Sequence, residues 1–394
     1  MTYDFNEAKE HLVNSYGRLD PVIVKGSGVY LYDQDNNKYL DFTSGIGVSS
    51  LGYGHKKWIE ATSAQLGTLA HASNIFLTEP SVKLAKELTD KAGMKKIFFG
   101  NSGAEANEGA IKLARKYSFD KYGEGRSKIL TLIQSFHGRT ITTLKATGQD
   151  KFHKFFYPFT EGFDYVKAND INDFKEKLTS DVCAIMLEAI QGEGGVIPLD
   201  KDFVQQVVKI CNEKDILVIF DEVQCGIGRT GKLFGYENFG VKPDIVTVAK
   251  GLGAGLPIGG FLCNEKVQDV LNPGDHGSTF GANPVVCSGS LVVLDELCNE
   301  DSYKSISEKG AYVKELVEKA NNPQVVDVRG MGLMLGIKVK CTPALVQKEC
   351  MKKGLLVLTA GKDVVRLLPP LVISKDELKQ GVEIILDVLS NITE

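Results

Sequence analysis

The sequence predicts an α/β fold: a mostly parallel central sheet with helices on both faces, plus a smaller α+β domain built from both chain ends. Three observations support this class. Strand-like apolar runs alternate with helical stretches through the middle of the chain, polar side chains follow those runs directly, and the two chain ends show a different pattern. With 394 residues, of which 43% are hydrophobic and 24% charged, the chain is long enough for two domains and a large core.

The strand-like runs are short, apolar and separated by segments of helical periodicity. They read KKIFFG, KILTLI, VCAIMLE, ILVIFDE and DIVTVAK. In the helix predicted between the first two runs, apolar residues recur at Ala106, Ala110, Leu113, Ala114 and Tyr117. Buried strands that alternate with helices indicate a parallel sheet covered on both faces, and ligands of such sheets collect beyond the carboxyl ends of the strands.

The two chain ends have a different organisation from the middle. Residues 1–50 hold a short helix and then GVYLYDQDNNKYLDF, two alternating runs around an Asp/Asn-rich turn, which predict a hairpin. After about residue 290, the helix SGSLVVLDELCNEDSYKSISEKG, several strand-like segments and a closing helix form an α+β pattern. We therefore expect residues 1–50 to join the small domain, 51–290 to form a large domain and 291–394 to form the C-terminal small domain.

Composition favours small molecules as partners. The net charge is −4 and the acidic and basic residues are mixed, so there is no basic stripe for nucleic acid and no polybasic tail for a membrane. The eight cysteines are scattered in apolar surroundings without a C-x-x-C spacing, which predicts a reducing compartment without a disulfide framework or a zinc site. The N-terminal segment is polar and lacks an apolar h-region, so we expect a cytoplasmic protein.

A lysine and a glycine-rich exit follow the strand run VTVA. Lys250 stands at the end of this buried strand, where an ammonium group must snorkel, pair or change its chemistry. At another strand end, IFFGNSGAEANEG predicts a strand, a tight turn and a helix whose first amides are unpaired. Ser102 and Gly103 at this helix start suit a bound phosphate. The alternative, and the commoner case, is that Asn101 or Ser102 is a plain helix cap.

Two adjacent carboxylates follow the strand ILVIF. At least one of Asp221 and Glu222 needs a partner, because an unpaired charge at that depth is costly. Such a carboxylate suits a nitrogen that has to stay protonated, with Gln224 as a neutral donor on the same side. The alternative is a salt bridge within the loop, for instance to Arg229.

Further polar and aromatic residues follow the remaining strands. Phe136 and Arg139 in SFHGRT suit stacking on a flat ring and binding of a carboxylate, although core packing and a surface salt bridge are the plain alternatives. Glu188 ends another strand, and Glu193 lies in the glycine-rich loop behind it. Structural pairing is the alternative for both glutamates.

One segment points to a different function. GIGRTGKL, residues 226–233, has the G-x-x-x-x-G-K spacing of a nucleotide-binding loop. It lacks the Ser or Thr that would hold magnesium, and a poor helix follows it. A nucleotide-binding protein that depends on Lys232 is therefore a remote alternative. The sequence has no G-x-S-x-G elbow and no histidine pair at i,i+4 spacing for a metal.

Four features at one sheet edge together indicate pyridoxal phosphate. They are a phosphate site, an aromatic ring for stacking, a buried acid and a buried lysine. That cofactor needs an anchor, a stacking face, a carboxylate on its ring nitrogen and an amine for its aldehyde. Lys250 would form a Schiff base with the aldehyde, which removes the cost of burying a free ammonium. The amine released by substrate would then move a proton between two carbons. Asp221 would keep the ring nitrogen protonated.

Seven segments also carry a family resemblance. They are FFGNSGAEANEGAIKLARK, FHGRT, EAIQGEGGV, FDEVQCGIGRTG, VAKGLGAGLPIGG, HGSTFGANP and VVRLLPPL. Together they resemble the class III aminotransferases, most nearly those that act on acetylornithine in arginine biosynthesis. The resemblance runs from about Tyr16 to the last helix. It implies the large and small domains of a pyridoxal phosphate-dependent transferase, assembled as a homodimer with active sites at the subunit interface.

The resemblance assigns roles to residues of both ligand sites. The implied cofactor-binding residues are Ser102, Gly103 and Ala104 for the phosphate, Phe136 for the ring face, Gln224 for the ring hydroxyl, Asp221 for the ring nitrogen, Lys250 for the aldehyde, and Thr279 for the phosphate bound by the neighbouring subunit. The implied substrate-binding residues are Tyr16, Arg139, Glu193, Ser278 and Arg366.

The implied reaction moves the ω-amino group of N-acetylornithine to 2-oxoglutarate in a ping-pong cycle, giving N-acetylglutamate semialdehyde and glutamate. Arg366 would receive the α-carboxylate of the diacid, and Glu193 would cover Arg366 when the amine donor binds. Ornithine, succinylornithine and 4-aminobutyrate are alternative donors, and decarboxylation or amino-group migration are alternative reactions on the same scaffold.

Overall fold

The structure is a computed structural model that describes residue 7 and residues 10–392. Its strands are β1 (Ile23–Ser27), β2 (Tyr30–Asp33), β3 (Lys38–Asp41), β4 (Lys96–Gly100), β5 (Lys128–Leu132), β6 (Phe163–Val166), β7 (Val182–Leu187), β8 (Ile190–Gln191), β9 (Ile197–Pro198), β10 (Leu217–Asp221), β11 (Ile245–Val248), β12 (Gly259–Cys263), β13 (Val325–Met331), β14 (Met334–Val339), β15 (Leu355–Leu356), β16 (Leu358–Ala360) and β17 (Val364–Leu367). Its longer helices are α1 (Lys56–Thr68), α2 (Glu79–Ala92), α3 (Gly103–Tyr122), α4 (Ile141–Ala146), α5 (Ile171–Lys177), α6 (Lys201–Glu213), α7 (Pro284–Leu297), α8 (Glu300–Lys319), α9 (Pro343–Lys352) and α10 (Lys375–Asn391). Short helical turns lie at Ser44–Gly47, Asp150–Phe152, Gly235–Phe239 and Lys250–Leu252.

A seven-stranded sheet forms the centre of the molecule, in the order β4-β12-β11-β10-β7-β5-β6. Six of its strands run in one direction, and only β12 is antiparallel to its neighbours. The predicted mostly parallel sheet is therefore confirmed. The sequence analysis did not identify β12, because its start reads as part of a glycine-rich loop. Those glycines are required by close packing: a Cβ on Gly259 would lie 2.2 Å from the Ser102 carbonyl oxygen.

Helices cover both faces of this sheet, as the alternating pattern predicts. Along β10, Leu217 and Ile219 belong to the apolar cluster that contains the inner face of α3. The intervening Val218 and Phe220 belong to the larger cluster, which contains the inner face of α6. Because successive strand side chains point to opposite faces, one short strand is buried by a helix on each side.

The chain ends meet in a second sheet, β1-β2-β3-β15, in which β15 from the C-terminal part pairs in parallel with β3. The predicted hairpin is present as the antiparallel pair β2 and β3. A further antiparallel sheet has the order β13-β14-β17-β16. Domain limits at about residues 50 and 290 stay a prediction. The short helix predicted near the N-terminus lies largely outside the described residues.

The single long helix predicted after residue 288 is wrong. It is divided into α7 and α8, because Asn299 is extended and its side chain caps α8 by accepting from the Ser302 amide at 3.0 Å. The signal was present in the sequence as an Asn followed by two acids, Glu300 and Asp301, in the first turn. Within residues 10–392, none of the helices combines the length and the apolar character needed to cross a bilayer.

Candidate active site

A cavity of about 350 Å³ opens at the carboxyl edge of the central sheet. That size falls in the range of small-molecule sites. Its wall is formed by the segments that follow β4, β5, β7, β10 and β11, together with the segment before β12. The predicted cofactor residues that line it are Ser102, Gly103, Ala104, Phe136, Asp221, Gln224 and Lys250.

Asp221 ends β10 with only 3% of its surface exposed. Its Oδ2 accepts from Asn107 Nδ2 and from His137 Nδ1, both at 2.8 Å, and its Oδ1 accepts from the Val223 amide at 3.0 Å. Among the described residues, no lysine or arginine pairs with Asp221. The carboxylate is therefore held in place by an amide, an imidazole and the backbone, and its charge is available to a ligand in the cavity.

The neighbouring acid, Glu222, does not enter the cavity. It is 1% exposed and accepts from the two amides that begin Gly235–Phe239, at 2.7 and 2.9 Å. Burial outweighs these bonds and raises the pKa of Glu222 to about 8. The alternative of a salt bridge to Arg229 is wrong, because Arg229 donates to the backbone carbonyls of Leu333 and Pro369, at 3.1 and 2.5 Å.

The start of α3 forms the part of the cavity that suits an anion. Ser102 caps the helix: its Oγ accepts from the Glu105 amide at 3.2 Å and donates to the Glu105 carboxylate at 2.8 Å. Helix capping by Ser102 is compatible with phosphate binding at the same helix start, because no described residue accepts from the amides of Gly103 and Ala104. A Cβ on Gly103 would lie 2.7 Å from Val223 Cγ1, so glycine allows this close approach.

Lys250 begins the short helical turn after β11 and lines the cavity. Its φ of 41° is in the left-handed region, which a lysine adopts only where the surroundings enforce it. Burial, helped by Arg366, lowers the pKa of Lys250, and the nearby carboxylates of Glu193 and Asp221 only partly oppose this. A lowered pKa leaves more of the amine unprotonated and nucleophilic.

Phe136 and Arg139 lie at the exit of β5. The Phe136 amide donates to Glu188 Oε2 at 3.0 Å, and burial together with Asp221 raises the pKa of Glu188 well above its usual range. Arg139 is exposed, and its guanidinium carbon lies 4.3 Å from the ring centroid of Phe152 and 5.5 Å from that of Phe136. In the described chain, Arg139 forms no ion pair. It is a cation without a carboxylate beside the cavity.

Arg366 on β17 is 2% exposed and reaches the same site from the C-terminal part of the chain. Its Nη1 donates to Glu193 Oε1 at 2.6 Å and to Gln224 Oε1 at 3.1 Å. Burial acts against the ionised form of Glu193, but Arg366 and Lys250 outweigh it and lower the pKa of Glu193. Arg366 and Glu193 are therefore a charged pair next to Lys250.

Six of the predicted site residues lie outside the cavity wall: Arg139, Glu193 and Arg366, described above, and Tyr16, Ser278 and Thr279. Ser278 Oγ accepts from Asn101 Nδ2 at 3.1 Å, which places it beside the helix start. Thr279, the next residue, is exposed, and Tyr16 near the N-terminus is 73% exposed. The described chain by itself does not bring Tyr16 or Thr279 into contact with the cavity.

The sequence analysis missed the residues that hold Asp221. Asn107 is a polar residue in phase with Ala110 and Ala114 on the buried face of α3, which is a signal that could have been used. His137 stands between the two residues of SFHGRT that were selected. Both side chains keep one buried polar atom without a hydrogen-bond partner in the described chain, Asn107 Oδ1 and His137 Nε2.

Residues 226–233 do not form a phosphate-binding loop. The segment is buried except for Lys232, and the short helical turn Gly235–Phe239 follows it in place of a long helix. The Arg229 carbonyl accepts from the Leu333 amide at 2.9 Å, which packs the segment against the C-terminal part. This geometry does not support the nucleotide-binding alternative.

Pyridoxal phosphate fits the groups at the cavity. In the described part of the chain, the amides at the α3 start have no acceptor and suit its phosphate, and Asp221 offers a carboxylate without a lysine or arginine partner. Phe136 offers a ring face and Lys250 offers an amine. These four needs are met within one cavity wall.

Comparison with known proteins gives a consistent result. The model of the aminotransferase class-III family matches residues 13–389. Acetylornithine aminotransferase of Haemophilus ducreyi is 52% identical over 384 residues, which cover 96% of each chain. The ornithine aminotransferase of Toxoplasma gondii, solved with partial occupancy of pyridoxal phosphate at its active site, has a TM-score of 0.92 at 30% identity over 98% of this chain and 93% of that chain. The N-acetylornithine aminotransferase of Stenotrophomonas maltophilia has a TM-score of 0.85 at 31% identity over 98% of each chain.

Proposed function

The chain belongs to the class III aminotransferases, which depend on pyridoxal phosphate, and we propose that it transfers the ω-amino group of N-acetylornithine to 2-oxoglutarate. The products are N-acetylglutamate semialdehyde and glutamate, and the reaction serves arginine biosynthesis. The observation that carries this proposal is the buried Arg366 paired with Glu193 at 2.6 Å beside Lys250. The choice of acetylornithine is supported by the identity to enzymes of that name.

The residues around the cavity have different roles in the proposed reaction. Bound pyridoxal phosphate supplies an aldehyde that reacts with amines and a ring that withdraws electrons from the reacting carbon. Asp221 would keep the ring nitrogen of the bound cofactor protonated, since no lysine or arginine pairs with this carboxylate in the described chain. Lys250 would supply the amine for the aldehyde and would hold or move a proton at its Nζ, and its lowered pKa suits it to this task.

The Arg366 pair explains how one pocket accepts two different substrates. An ω-amino donor brings no carboxylate to the reacting end, so a bare Arg366 would favour the wrong ligand. Glu193 neutralises Arg366 for that donor and swings away when the α-carboxylate of a diacid arrives. The substrates then alternate in a ping-pong cycle.

The remaining substrate contacts are also proposals. Arg139 binds the carboxylate distant from the reacting carbon, which its exposure beside the cavity and its lack of an ion pair in the described chain support. Tyr16 and Ser278 complete the donor site. Gln224, which lines the cavity, hydrogen-bonds the ring hydroxyl of the bound cofactor.

We also propose a homodimer in which Thr279 reaches the phosphate bound by the partner subunit. An exposed apolar surface beside Thr279 supports this: Ile75 is 86% exposed, Leu77 88% and Phe280 60%. Asn74 holds this surface together by donating to the carbonyls of Ser278 and Gly281. Apolar patches of this kind mark subunit interfaces. The proposed compartment is the cytoplasm.

A panel of amine donors with 2-oxoglutarate as acceptor tests the proposal. We expect acetylornithine to give the highest kcat/KM. Succinylornithine, ornithine and 4-aminobutyrate should also react, because a hydrophobic pocket distinguishes small changes by only about 1–3 kcal/mol. Formation of glutamate is the readout. A preference for ornithine or 4-aminobutyrate would replace the substrate but keep the reaction class, whereas product without 2-oxoglutarate would indicate another reaction on the same scaffold.

A further inference from the structure

The loop that carries Glu193, residues 192–196, is fixed to the C-terminal part of the chain at its backbone. The Glu193 carbonyl accepts from the Gly361 amide at 3.0 Å. Two residues later, the Gly195 carbonyl accepts from Arg329 Nε at 3.1 Å and from Arg329 Nη2 at 2.7 Å. We call residues 192–196 the Glu193 loop.

Close packing and the two anchored carbonyls restrict the backbone of the Glu193 loop. A Cβ on Gly192 would lie 2.2 Å from Gln224 Oε1, and one on Gly194 would lie 2.5 Å from the Gln134 carbonyl oxygen. Val196 closes the loop in the left-handed region, with φ 52°, and is fully buried. The Glu193 side chain, in contrast, is 29% exposed. Glu193 therefore has to leave Arg366 by rotating its side chain while its backbone stays in place.

Arg329 on β13 donates mainly to a backbone carbonyl of the Glu193 loop. Its ion pair with Asp327 is long, at 3.7 Å, and two of its N–H groups converge on one backbone carbonyl. Hydrogen bonds from a charged donor are about twice as strong as neutral ones. The Gly195 carbonyl that receives them belongs to the loop whose only carboxylate is Glu193.

We propose that Arg329 is a positioning residue that sets the discrimination between the two substrates. By holding the Gly195 carbonyl, it keeps Glu193 within reach of Arg366, so that the pair re-forms whenever the diacid leaves. Loss of Arg329 loosens the loop, weakens the pair and exposes Arg366 to diacids in both half-reactions. This inference rests on the proposed function of Glu193.

The first test measures both half-reactions of the holoenzyme separately, one with acetylornithine and one with glutamate. We expect Arg329→Ala to lower the ratio of kcat/KM for acetylornithine to kcat/KM for glutamate by about fivefold. This is less than the full loss of a hydrogen bond to a charged group would give, because Arg329 acts on the Glu193–Arg366 pair only through the loop backbone. Arg329→Lys, which retains one donor, restores part of the ratio. An unchanged ratio for Arg329→Ala would overturn the inference.

Arg126 provides a matched control. It too donates to backbone carbonyls, from Nε to Val182 at 3.1 Å and from Nη2 to Lys214 at 2.9 Å, but at the opposite edge of the central sheet. Arg126→Ala removes comparable bonds and should lower thermal stability without changing the ratio. If Arg126→Ala changes the ratio as much as Arg329→Ala, the effect is general destabilisation and the inference fails.

A second measurement separates this inference from the proposed function. In a Glu193→Ala background, Arg329→Ala should not change the ratio further, because the side chain that it positions is gone. Hydrogen exchange of the holoenzyme should show faster exchange in residues 192–196 for Arg329→Ala and not for Arg126→Ala. If Glu193→Ala leaves the ratio unchanged, the proposed gating by Glu193 fails. If Glu193→Ala changes the ratio and Arg329→Ala does not, only the role of Arg329 fails.

Discussion

Two aspartates lie at opposite ends of β10, and their hydrogen-bond partners differ. Asp215, before the strand, accepts from Lys121 and Lys266, both at 2.7 Å, and from Tyr117 at 3.0 Å. Asp221, at the end of the strand, is bound by an amide, an imidazole and a backbone N–H, with no lysine or arginine partner in the part of the chain described.

This difference shows what makes a carboxylate available for chemistry. At the amino edge, lysines satisfy the charge of Asp215, so the group fastens α3 to the start of β10. At the carboxyl edge, Asn107, His137 and a backbone amide orient Asp221, and no lysine or arginine of the described chain pairs with it. The same residue type is structural at one edge and reactive at the other because of its partners. The following variants test that contrast, from the largest expected effect to the smallest.

Replacing a lysine at each edge of the central sheet should give the largest difference in transamination rate. Lys250→Ala should reduce transamination at least about 1000-fold, since it removes the group that moves the proton. Lys266→Ala, at the amino edge, should leave the rate within about twofold, because a partly exposed ion pair contributes only about 1 kcal/mol to stability. Amino transfer from acetylornithine is the assay. Comparable losses in the two variants would remove the distinction between the edges.

The aspartates themselves give the second test. Asp221→Asn preserves shape but removes the charge, and we expect kcat to fall about 100-fold or more, the lower end of what a positioned acid or base contributes. Asp215→Asn should leave kcat within about twofold, since ion pairs at that edge affect stability by about 1 kcal/mol. Steady-state kinetics on both proteins, with circular dichroism to verify folding, measures this. Retention of kcat in Asp221→Asn would contradict the assigned role.

The third test concerns the Glu193–Arg366 ion pair, which has to open when the diacid binds. Glu193→Ala should speed the half-reaction with glutamate and slow that with acetylornithine, with a combined change of about tenfold in their ratio, the value of one strong charged pair. Single-turnover absorbance changes follow each half-reaction. Equal effects on both half-reactions would count against a gate.

The smallest effect concerns stability and pH. Although burial opposes it, hydrogen bonds from Lys121, Lys266 and Tyr122 hold the pKa of Asp215 well below its usual range. A depressed pKa in the folded state gives stability that is present above the unfolded value of about 3.9 and is lost as pH falls. Asp215→Asn should therefore lower the free energy of unfolding by about 1 kcal/mol at pH 7, and the difference should shrink below about pH 4. Urea unfolding of both proteins at neutral and at acidic pH tests whether the difference in the free energy of unfolding shrinks as expected.

Much of the site was predictable because it follows from strand order and residue type. A lysine after β11, an acid at the end of β10 and an aromatic residue after β5 share one edge as soon as the strands are parallel. Asn107 and His137 were not predicted, because a polar residue inside a helix or a turn reveals its partner only when the two elements are packed. The reversed strand β12 was missed for a related reason: its glycines serve neighbours that are remote in the sequence.

The sequence by itself determined the fold class, the family and the types of groups at the sheet edge, because these depend on local patterns of apolar, glycine and charged residues. Only the tertiary structure decided which groups meet. Arg366 pairs with Glu193 across 173 positions, and Arg329 binds Gly195 across 134. Contacts between such distant residues depend on how the C-terminal sheet is placed against the central one, and no local pattern encodes that placement.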